Sequence, residues 1–440
     1  MSSMWPYFPA LLAAPVPRYT SFPTAAEFTP GIGAAEFVRA LEGADGDVSI
    51  YVHIPFCDAI CWYCGCNTSK ANRSERLASY LEALHREIAL LAAHLPAGAR
   101  VRRIAFGGGS PNAISATAFV RLMLALTQSL PLLDPVISVE LDPRTLDQHW
   151  TAALAGVGVT RASLGVQTFD PVIQAGIGRV QPAELIERCT AWLREAGITS
   201  LNFDLMYGLP GQDESTLEAT LDAAVALAPD RIALFGYAHV PHLIPRQRQI
   251  DAAALPGTLS RFRMTALGRA QLLGAGYTAI GFDHFALPGD PLAQAMCAGR
   301  LHRNFQGFTD DAAPALIGLG ASAISSFPDL LVQNEKNGGR YRMMLSQDRF
   351  PISLGVRRDA EDQRRGAIIE QLLCHGRAEL GPHLDAEVAT RLQPLIAQRL
   401  AEIDGTSLIV TELGQPYSRV IAAAFDPYRQ QSPRRFSSAV

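Results

Sequence analysis

Three cysteines in one short stretch carry the strongest chemical signal in the chain. In SIYVHIPFCDAICWYCGC (residues 49–66), Cys57, Cys61 and Cys64 have three and then two residues between them, directly after a strand-like run. That spacing lets three thiolates reach one small inorganic object from a single loop. A four-iron, four-sulfur cluster held this way keeps one iron without a protein ligand, and an open iron can bind and reductively break a substrate. Zinc is the competing reading, with Cys66 as a fourth thiolate. A ferredoxin-type cluster would use four cysteines. Seven cysteines in 440 residues are too few, and odd in number, for a disulfide framework. Cys189, Cys297 and Cys374 are scattered and read as small core residues.

Something must position that loop. From about 47 to 240, short β-branched runs alternate with amphipathic segments. The strands are expected at 48–54, 101–106, 136–141, 160–165, 200–206 and 231–237, with helices such as 74–94 and 214–228 between them. This alternation predicts a parallel sheet with right-handed crossovers. Six units predict an open, partial β/α barrel rather than eight closed ones. The residues after each strand are polar or glycine: the cysteine loop, then Gly107-Gly108-Gly109-Ser110, then Glu140 near Asp142, then Gln167, then Asp204 with Tyr207-Gly-Leu-Pro-Gly211, then Tyr237-Ala238-His239. Barrel active sites lie at the C-terminal strand ends, so these positions are expected to face one cavity. Singly, each carboxylate or amide would read as a satisfied structural hydrogen bond, and the YGLPG stretch as a tight turn. His53 reads equally as a core histidine or as part of the cluster pocket.

Residues 1–45 read as an extended arm held open by prolines, most clearly at PRYTSFPT (residues 17–24). A helix is expected at 250–275, and 335–347 is polar enough for a helix or a loop. From about 355 the pattern is mainly helical (358–376, 385–403, 414–425), with a short strand signal at 407–411 and a flexible tail after Tyr428. At a net charge of −4, no basic excess points to nucleic acid or an anionic membrane surface as the main partner, and no nucleic-acid partner is expected. No apolar run of about 18 residues is present, so no membrane insertion is expected. The start lacks the pattern of a secretory signal, and cysteine usage suits a reducing cytosol, so a cytoplasmic monomer is expected.

The cysteine loop with a triple glycine one strand later resembles the radical S-adenosylmethionine superfamily. The resemblance narrows with PRYTSFPTA (17–25), YVHIPFCDAICWYCGCN (51–67), RASLGVQTFDPVIQAGIGR (161–179), NFDLMYGLPGQ (202–212), YTAIGFDHFALP (277–288) and LHRNFQG (301–307). Together these are similar to the oxygen-independent coproporphyrinogen III oxidases, over nearly the whole chain. The resemblance implies a partial (β/α)6 radical-SAM barrel (46–285) behind an N-terminal arm or lid (1–45). A barrel extension with a second S-adenosylmethionine and substrate contacts (286–354) and a small, mainly helical C-terminal domain (355–440) would follow. It implies a 4Fe-4S cluster on Cys57, Cys61 and Cys64, with Cys66 not ligating iron. Gly108, Gly109 and Ser110 would approach the methionine amino group, and Tyr63 would pack near the adenine. Glu140 and Asp204 would hold the ribose hydroxyls, Gln167 would contact the nucleoside or methionine part, and Arg179 would pair with the methionine carboxylate. Tyr51 and Ala238 would line the site, and Gln306 and Ile324 would contact the second S-adenosylmethionine.

The implied activity is oxidative decarboxylation of two propionates of coproporphyrinogen III to vinyl groups in haem biosynthesis, giving protoporphyrinogen IX. A 5′-deoxyadenosyl radical would start each cycle. An electron donor and an electron acceptor, both unidentified, are required. Four carboxylates call for arginines; Arg18 in the arm is the first candidate and Arg303 the second, while helix capping or a surface role is the default for His302 and Arg303. Departures from the family pattern are Ser110-Pro-Asn-Ala after the glycines, LIPRQ at 243–247 and a shortened 326–357 region. The rival readings are a haem chaperone of the same superfamily and a radical methyltransferase acting on tetrapyrroles. The chaperones usually lack the fourth cysteine of the loop and the PRYTS-like arm, both of which this chain has.

Overall fold

A computed structural model of the chain describes residues 5–71, 74–381 and 385–431. The six β-branched runs form the strands β1 (Asp47–Ile54), β2 (Arg100–Gly108), β3 (Leu132–Leu141), β4 (Arg161–Gln167), β5 (Ser200–Tyr207) and β6 (Arg231–Gly236). Each pairs in parallel with the next. Parallel strands flanked by crossover helices are buried on both faces, and Val48, Ile50, Val52 and Ile54 of β1 are accordingly sealed from solvent. Helices Ser74–His94, Ala116–Ser129, Gln148–Gly156, Ala183–Glu195 and Glu214–Ala226 connect the strands. Several start at a side-chain cap, as where the Asp213 carboxylate accepts from the Thr216 backbone N–H at 2.9 Å.

The sheet does not close. The free edge of β1 takes a seventh parallel strand, Ala315–Leu319, and the sheet runs on antiparallel through Ile324–Phe327, Leu330–Asn334 and Ile352–Arg357. Beyond β6 it ends antiparallel with His284–Ala286 and Thr278–Ile280. The chain is thus an open, partial β/α barrel with an N-terminal extension and a mainly helical C-terminal region.

Several elements differ from the sequence reading. The arm holds a helix, Ala34–Glu42, which buries Phe37 and Leu41. The helix expected at 250–275 begins at Thr258, because Pro256-Gly257 interrupts it. The segment 335–347 forms the helix Gly338–Leu345, capped by Asn337. The helix expected at 385–403 stops at Ala397, where Arg399 takes a φ of 60°. Ala401–Asp404 then pairs with Ser407–Val410, and Arg377–Glu379 adds a third strand. Short helical turns around Ser418–Ala422 replace the helix expected at 414–425. The tail read as flexible falls largely on 432–440, outside the described residues. No helix among the described residues is long and apolar enough to cross a membrane.

The arm lies between the barrel and the C-terminal region. The Tyr7 ring packs 5.4 Å from Phe262, the Phe8 N–H donates to the Tyr417 hydroxyl at 2.9 Å, and the Tyr19 hydroxyl donates to Asp426 at 2.9 Å. It therefore reaches the C-terminal ends of the barrel strands held from both sides.

Candidate active site

The cysteine loop leaves β1 at Ile54 and is closed on itself. Phe56–Cys57 pairs in parallel with Ser69–Lys70, and the Gly109 and Ser110 N–H groups donate to the Ile54 and Phe56 carbonyls at 2.9 and 2.8 Å. The Trp62 N–H donates to the Ile177 carbonyl at 3.1 Å. Three thiols in this loop, those of Cys57, Cys61 and Cys64, meet a donor. Cys57 Sγ accepts from the Thr68 hydroxyl at 3.2 Å, and Cys64 Sγ from the Cys66 N–H at 3.4 Å. Cys61 Sγ accepts from Arg179 at 3.2 Å and from Arg144 at 3.4 Å. Burial pushes the Cys57 thiol up to about 11, while the Cys66 thiol donating to Cys64 pulls Cys64 down. Two guanidiniums therefore stand beside the Cys61 sulfur, placing positive charge where an anionic cluster would sit.

All three cysteines line one cavity of about 470 Å³, together with Arg18, Tyr63, Gly108, Gly109, Glu140, Gln167, Arg179, Asp204 and Ala238. The sequence reading placed each of these at the site. A neighbouring cavity shares Cys66, Gly108 and Glu140 with it and is lined by Tyr51, His53 and Gln306. Ser110 and Ile324 line neither: the Ser110 hydroxyl is buried and donates to Asn112 at 2.5 Å, and Ile324 sits on the strand Ile324–Phe327. Cys189 and Cys374 are buried, as small core residues should be, but Cys297 is exposed.

Glycine is required beneath the cavity. Gly108 has a φ of +115°, and a Cβ there would stand 2.6 Å from the His53 ring; one on Gly109 would stand 2.5 Å from the Phe56 carbonyl. His53 is buried, its ring bonded to the Tyr51 hydroxyl at 3.0 Å, and burial lowers its pKa to about 4. It is a neutral histidine that shapes the pocket floor. Gln167 sits at a bulge in β4 with a φ of 66°. A bulge re-aims the side chain that follows it, and here it directs Gln167 to the cavity.

Two carboxylates, Glu140 near the end of β3 and Asp204 within β5, share the cavity wall. Glu140 accepts from the Gly108 N–H at 3.2 Å, and Asp204 accepts from the Ser163 hydroxyl at 2.8 Å and the Asn202 amide at 2.9 Å. Burial, then the Asp204 charge, raises Glu140 to about 7; burial likewise raises Asp204. Two partly buried carboxylates beside each other on the cavity wall are suited to accept from a diol.

The sequence reading passed over Arg144 and the role of Asp142. Burial opposes the Asp142 charge, but Arg179 and Arg144 hold its pKa below the ordinary carboxylate range. Arg144 donates to Asp142 at 2.6 Å, and Arg179 donates to Asp142 at 3.3 Å and to the Gly165 carbonyl at 2.6 Å. Arg179 thus reaches the cavity already held by Asp142, and a ligand carboxylate would share it. Gln247, also passed over, donates to the Tyr63 and Ala238 carbonyls at 2.9 and 3.0 Å and so ties the cysteine loop to the end of β6. The only sequence signal for Arg144 was its closeness to Asp142; Gln247 lay in the LIPRQ segment that departs from the family pattern. His302 Nδ1 lies 3.2 Å from Glu370, as a structural tie, and the YGLPG stretch is a tight turn with positive φ at Gly208 and Gly211.

Among the described residues, no three His, Cys, Asp or Glu side chains stand close enough to hold a single metal ion. A multi-iron cluster takes each thiolate at a different corner, and the loop's donors and shared cavity fit it.

The sequence pattern of the radical SAM superfamily matches residues 51–224. The chain is 42% identical over 430 residues to an oxygen-independent coproporphyrinogen III oxidase of Paracoccus denitrificans, covering 95% of each chain. It is 38% identical over 441 residues to the enzyme of that name from Pseudomonas aeruginosa, covering 96% of each. Among solved structures it is similar to the coproporphyrinogen III oxidase of Escherichia coli, a radical SAM enzyme. The TM-score is 0.91 at 35% identity, over 96% of this chain and 99% of that one.

Proposed function

This chain belongs to the oxygen-independent coproporphyrinogen III oxidases of the radical SAM superfamily, and we propose that its chemistry takes place in the cavity lined by Cys57, Cys61 and Cys64. The protein is an oxidoreductase of haem biosynthesis that oxidatively decarboxylates propionate side chains of coproporphyrinogen III. The finer reading is that two propionates become vinyl groups, giving protoporphyrinogen IX. The single observation that carries the site assignment is that three loop thiols and the Glu140–Asp204 carboxylate pair line one cavity.

When bound, the 4Fe-4S cluster and S-adenosylmethionine supply a one-electron reductive cleavage that yields a carbon radical able to abstract hydrogen. The chain's own residues do the rest. Cys57, Cys61 and Cys64 would hold the cluster, with Arg144 and Arg179 donating to the Cys61 sulfur beside it. The open backbone at Gly108 and Gly109 admits the methionine end, with Arg179 at its carboxylate. Glu140 and Asp204 accept from the ribose hydroxyls, Tyr63 packs against the adenine, and Gln167 and Ala238 complete the wall. Tyr51 and Gln306 face the adjoining cavity, which suits a second S-adenosylmethionine. Arg18 contacts the substrate from the arm, which closes the mouth and excludes water from a reactive radical.

In each cycle the substrate loses a hydrogen atom from the propionate β-carbon, then carbon dioxide and one electron. An external acceptor must take that electron, and an external donor must reduce the cluster. Both act from the cytoplasm in this reading. Anaerobic incubation with reductant, S-adenosylmethionine and coproporphyrinogen III tests it. Protoporphyrinogen IX and 5′-deoxyadenosine are expected; 5′-deoxyadenosine without loss of carbon dioxide, or a methylated product, would overturn it.

A further inference from the structure

Residues 302–311 reach into the barrel. His302–Asn304 and Gly307–Thr309 pair antiparallel, with Phe305 and Gln306 as the two-residue tip of the hairpin. The tip faces the cavity of about 580 Å³ beside the cysteine loop, which it lines together with Tyr51, Cys66 and Glu140. The Phe305 ring packs edge-on to Tyr51 at 4.6 Å between centroids, and the Gln306 N–H donates to the Asn304 side chain at 2.9 Å. Gln306 also lines a chamber of about 330 Å³ inside the barrel, with Arg103, Arg161, Asp310 and Asp311. Tip and base of the hairpin thus face one continuous space.

The base is held by charge. Asp310 directly follows the second hairpin strand. Arg161, the first residue of β4, grips its carboxylate with both terminal nitrogens at 2.8 and 3.0 Å, and Arg103 of β2 donates to the same carboxylate at 2.9 Å. Asp311 accepts from the Ser49 hydroxyl of β1 at 2.5 Å and lies 3.3 Å from the Arg103 Nε. Two acids and two guanidiniums, all mostly buried, thus join the hairpin to three barrel strands. Burial opposes the Asp310 charge, but Arg161 and then Arg103 hold its pKa far below the ordinary carboxylate range. A two-pronged contact fixes orientation as well as distance. A buried ion cluster adds little net stability and is best suited to fixing register. The strand between clasp and tip has no slack. It is paired, and its Phe308 is buried against Phe282 and His284, with ring centroids 5.5 and 5.4 Å away. Displacing the clasp therefore moves the tip.

We infer that Asp310 is a positioning residue: by locking the base of the hairpin to Arg103 and Arg161, it sets Phe305 and Gln306 at the cavity beside the cysteine loop. In this role, which rests on the proposed function for the cavity's occupant, a second S-adenosylmethionine, Asp310 touches no ligand and acts through the tip.

The test is equilibrium dialysis of labelled S-adenosylmethionine against anaerobic holoenzyme at rising concentration, which separates a first from a second bound equivalent. Asp310→Asn keeps the shape of the side chain. In it the first equivalent is expected to bind as in wild type and the second about tenfold more weakly. Gln306→Ala should also weaken the second equivalent. Because the clasp acts through the tip, the loss in the double variant should fall well short of the product of the two single losses. Arg161→Gln should repeat the selective loss, which covers the case that Asp310→Asn does not fold. A folded Asp310→Asn or Arg161→Gln variant with wild-type affinity for the second equivalent overturns the positioning role and leaves the cavity's occupant standing. Equal weakening of both equivalents, or losses that multiply in full in the double variant, overturns it too. Wild-type holoenzyme that takes up a single equivalent defeats the second-cofactor reading and the positioning role together.

Discussion

Replacing Glu140 by Gln should make the apoprotein more stable and the enzyme worse. Burial and the neighbouring Asp204 raise the Glu140 pKa from 4.5 to about 7. That rise corresponds to roughly 3 kcal/mol. The sign follows from the folded-state pKa lying above the unfolded value. The folded state binds the proton more tightly, so the contribution is whole below about 4.5 and is lost as pH climbs through about 7. At pH 8 wild-type apoprotein carries the full cost of a buried carboxylate beside another, and the neutral amide does not. The Gln carbonyl can still accept from the Gly108 N–H, so the local backbone bond survives. Glu140→Gln should therefore exceed wild type in unfolding free energy at pH 8, by up to about 3 kcal/mol, and match it near pH 5. S-adenosylmethionine binding should move the other way. Losing one charged acceptor for a ribose hydroxyl costs about 1.5–3 kcal/mol, or about ten- to hundredfold in affinity. Urea unfolding at two pH values and equilibrium dialysis with labelled S-adenosylmethionine measure the two effects. A variant destabilised at pH 8, or one with undiminished affinity, would refute the reasoning.

Gly108→Ala places a Cβ 2.6 Å from His53 at a φ of +115°, so urea unfolding should show a loss of about 2–4 kcal/mol, and the Tyr51–His53 bond should break in the imidazole nitrogen NMR spectrum. Asp142→Asn leaves Arg144 and Arg179 buried without their shared carboxylate; a cost of about 3–5 kcal/mol is expected, with reduced iron content after reconstitution. Glu87 is sealed inside the fold, accepting from Tyr341, Gly320 and Asn334, and burial raises it to about 7. Its folded pKa is again above the unfolded one, so wild type should lose stability between pH 5 and 8, and Glu87→Gln should remove part of that slope in urea titrations.

Much of the site was legible because its residues follow strands. The strand period placed Gly108, Glu140, Gln167, Asp204 and Ala238 at one end of a parallel sheet, and the cysteine spacing needed no tertiary knowledge. Arg144 and Gln247 were not legible, because they act from short turns whose direction depends on packing: Arg144 follows Pro143 in a single helical turn, and Gln247 lies in another behind Pro245. The helix Ala34–Glu42 was hidden by the prolines and glycines ahead of it, although its own residues are good helix formers. The seventh parallel strand, Ala315–Leu319, pairs with β1 more than 260 residues earlier, a partnership no local pattern reveals. Ser110 was read by its neighbours in sequence, but its hydroxyl bonds to Asn112 inside the protein.

The claim on which the rest depends is an iron corner free of protein ligands beside Glu140 and Asp204. Electron–nuclear double resonance on the reduced, reconstituted protein tests it, using S-adenosylmethionine labelled with nitrogen-15 at the amino group and oxygen-17 at the carboxylate. Couplings from both labels to the cluster are expected, and they should disappear when any one of Cys57, Cys61 or Cys64 is changed to Ala. A cluster that shows neither coupling, or one that is lost when Cys66 is changed to Ala because that thiol fills the fourth corner, would contradict it.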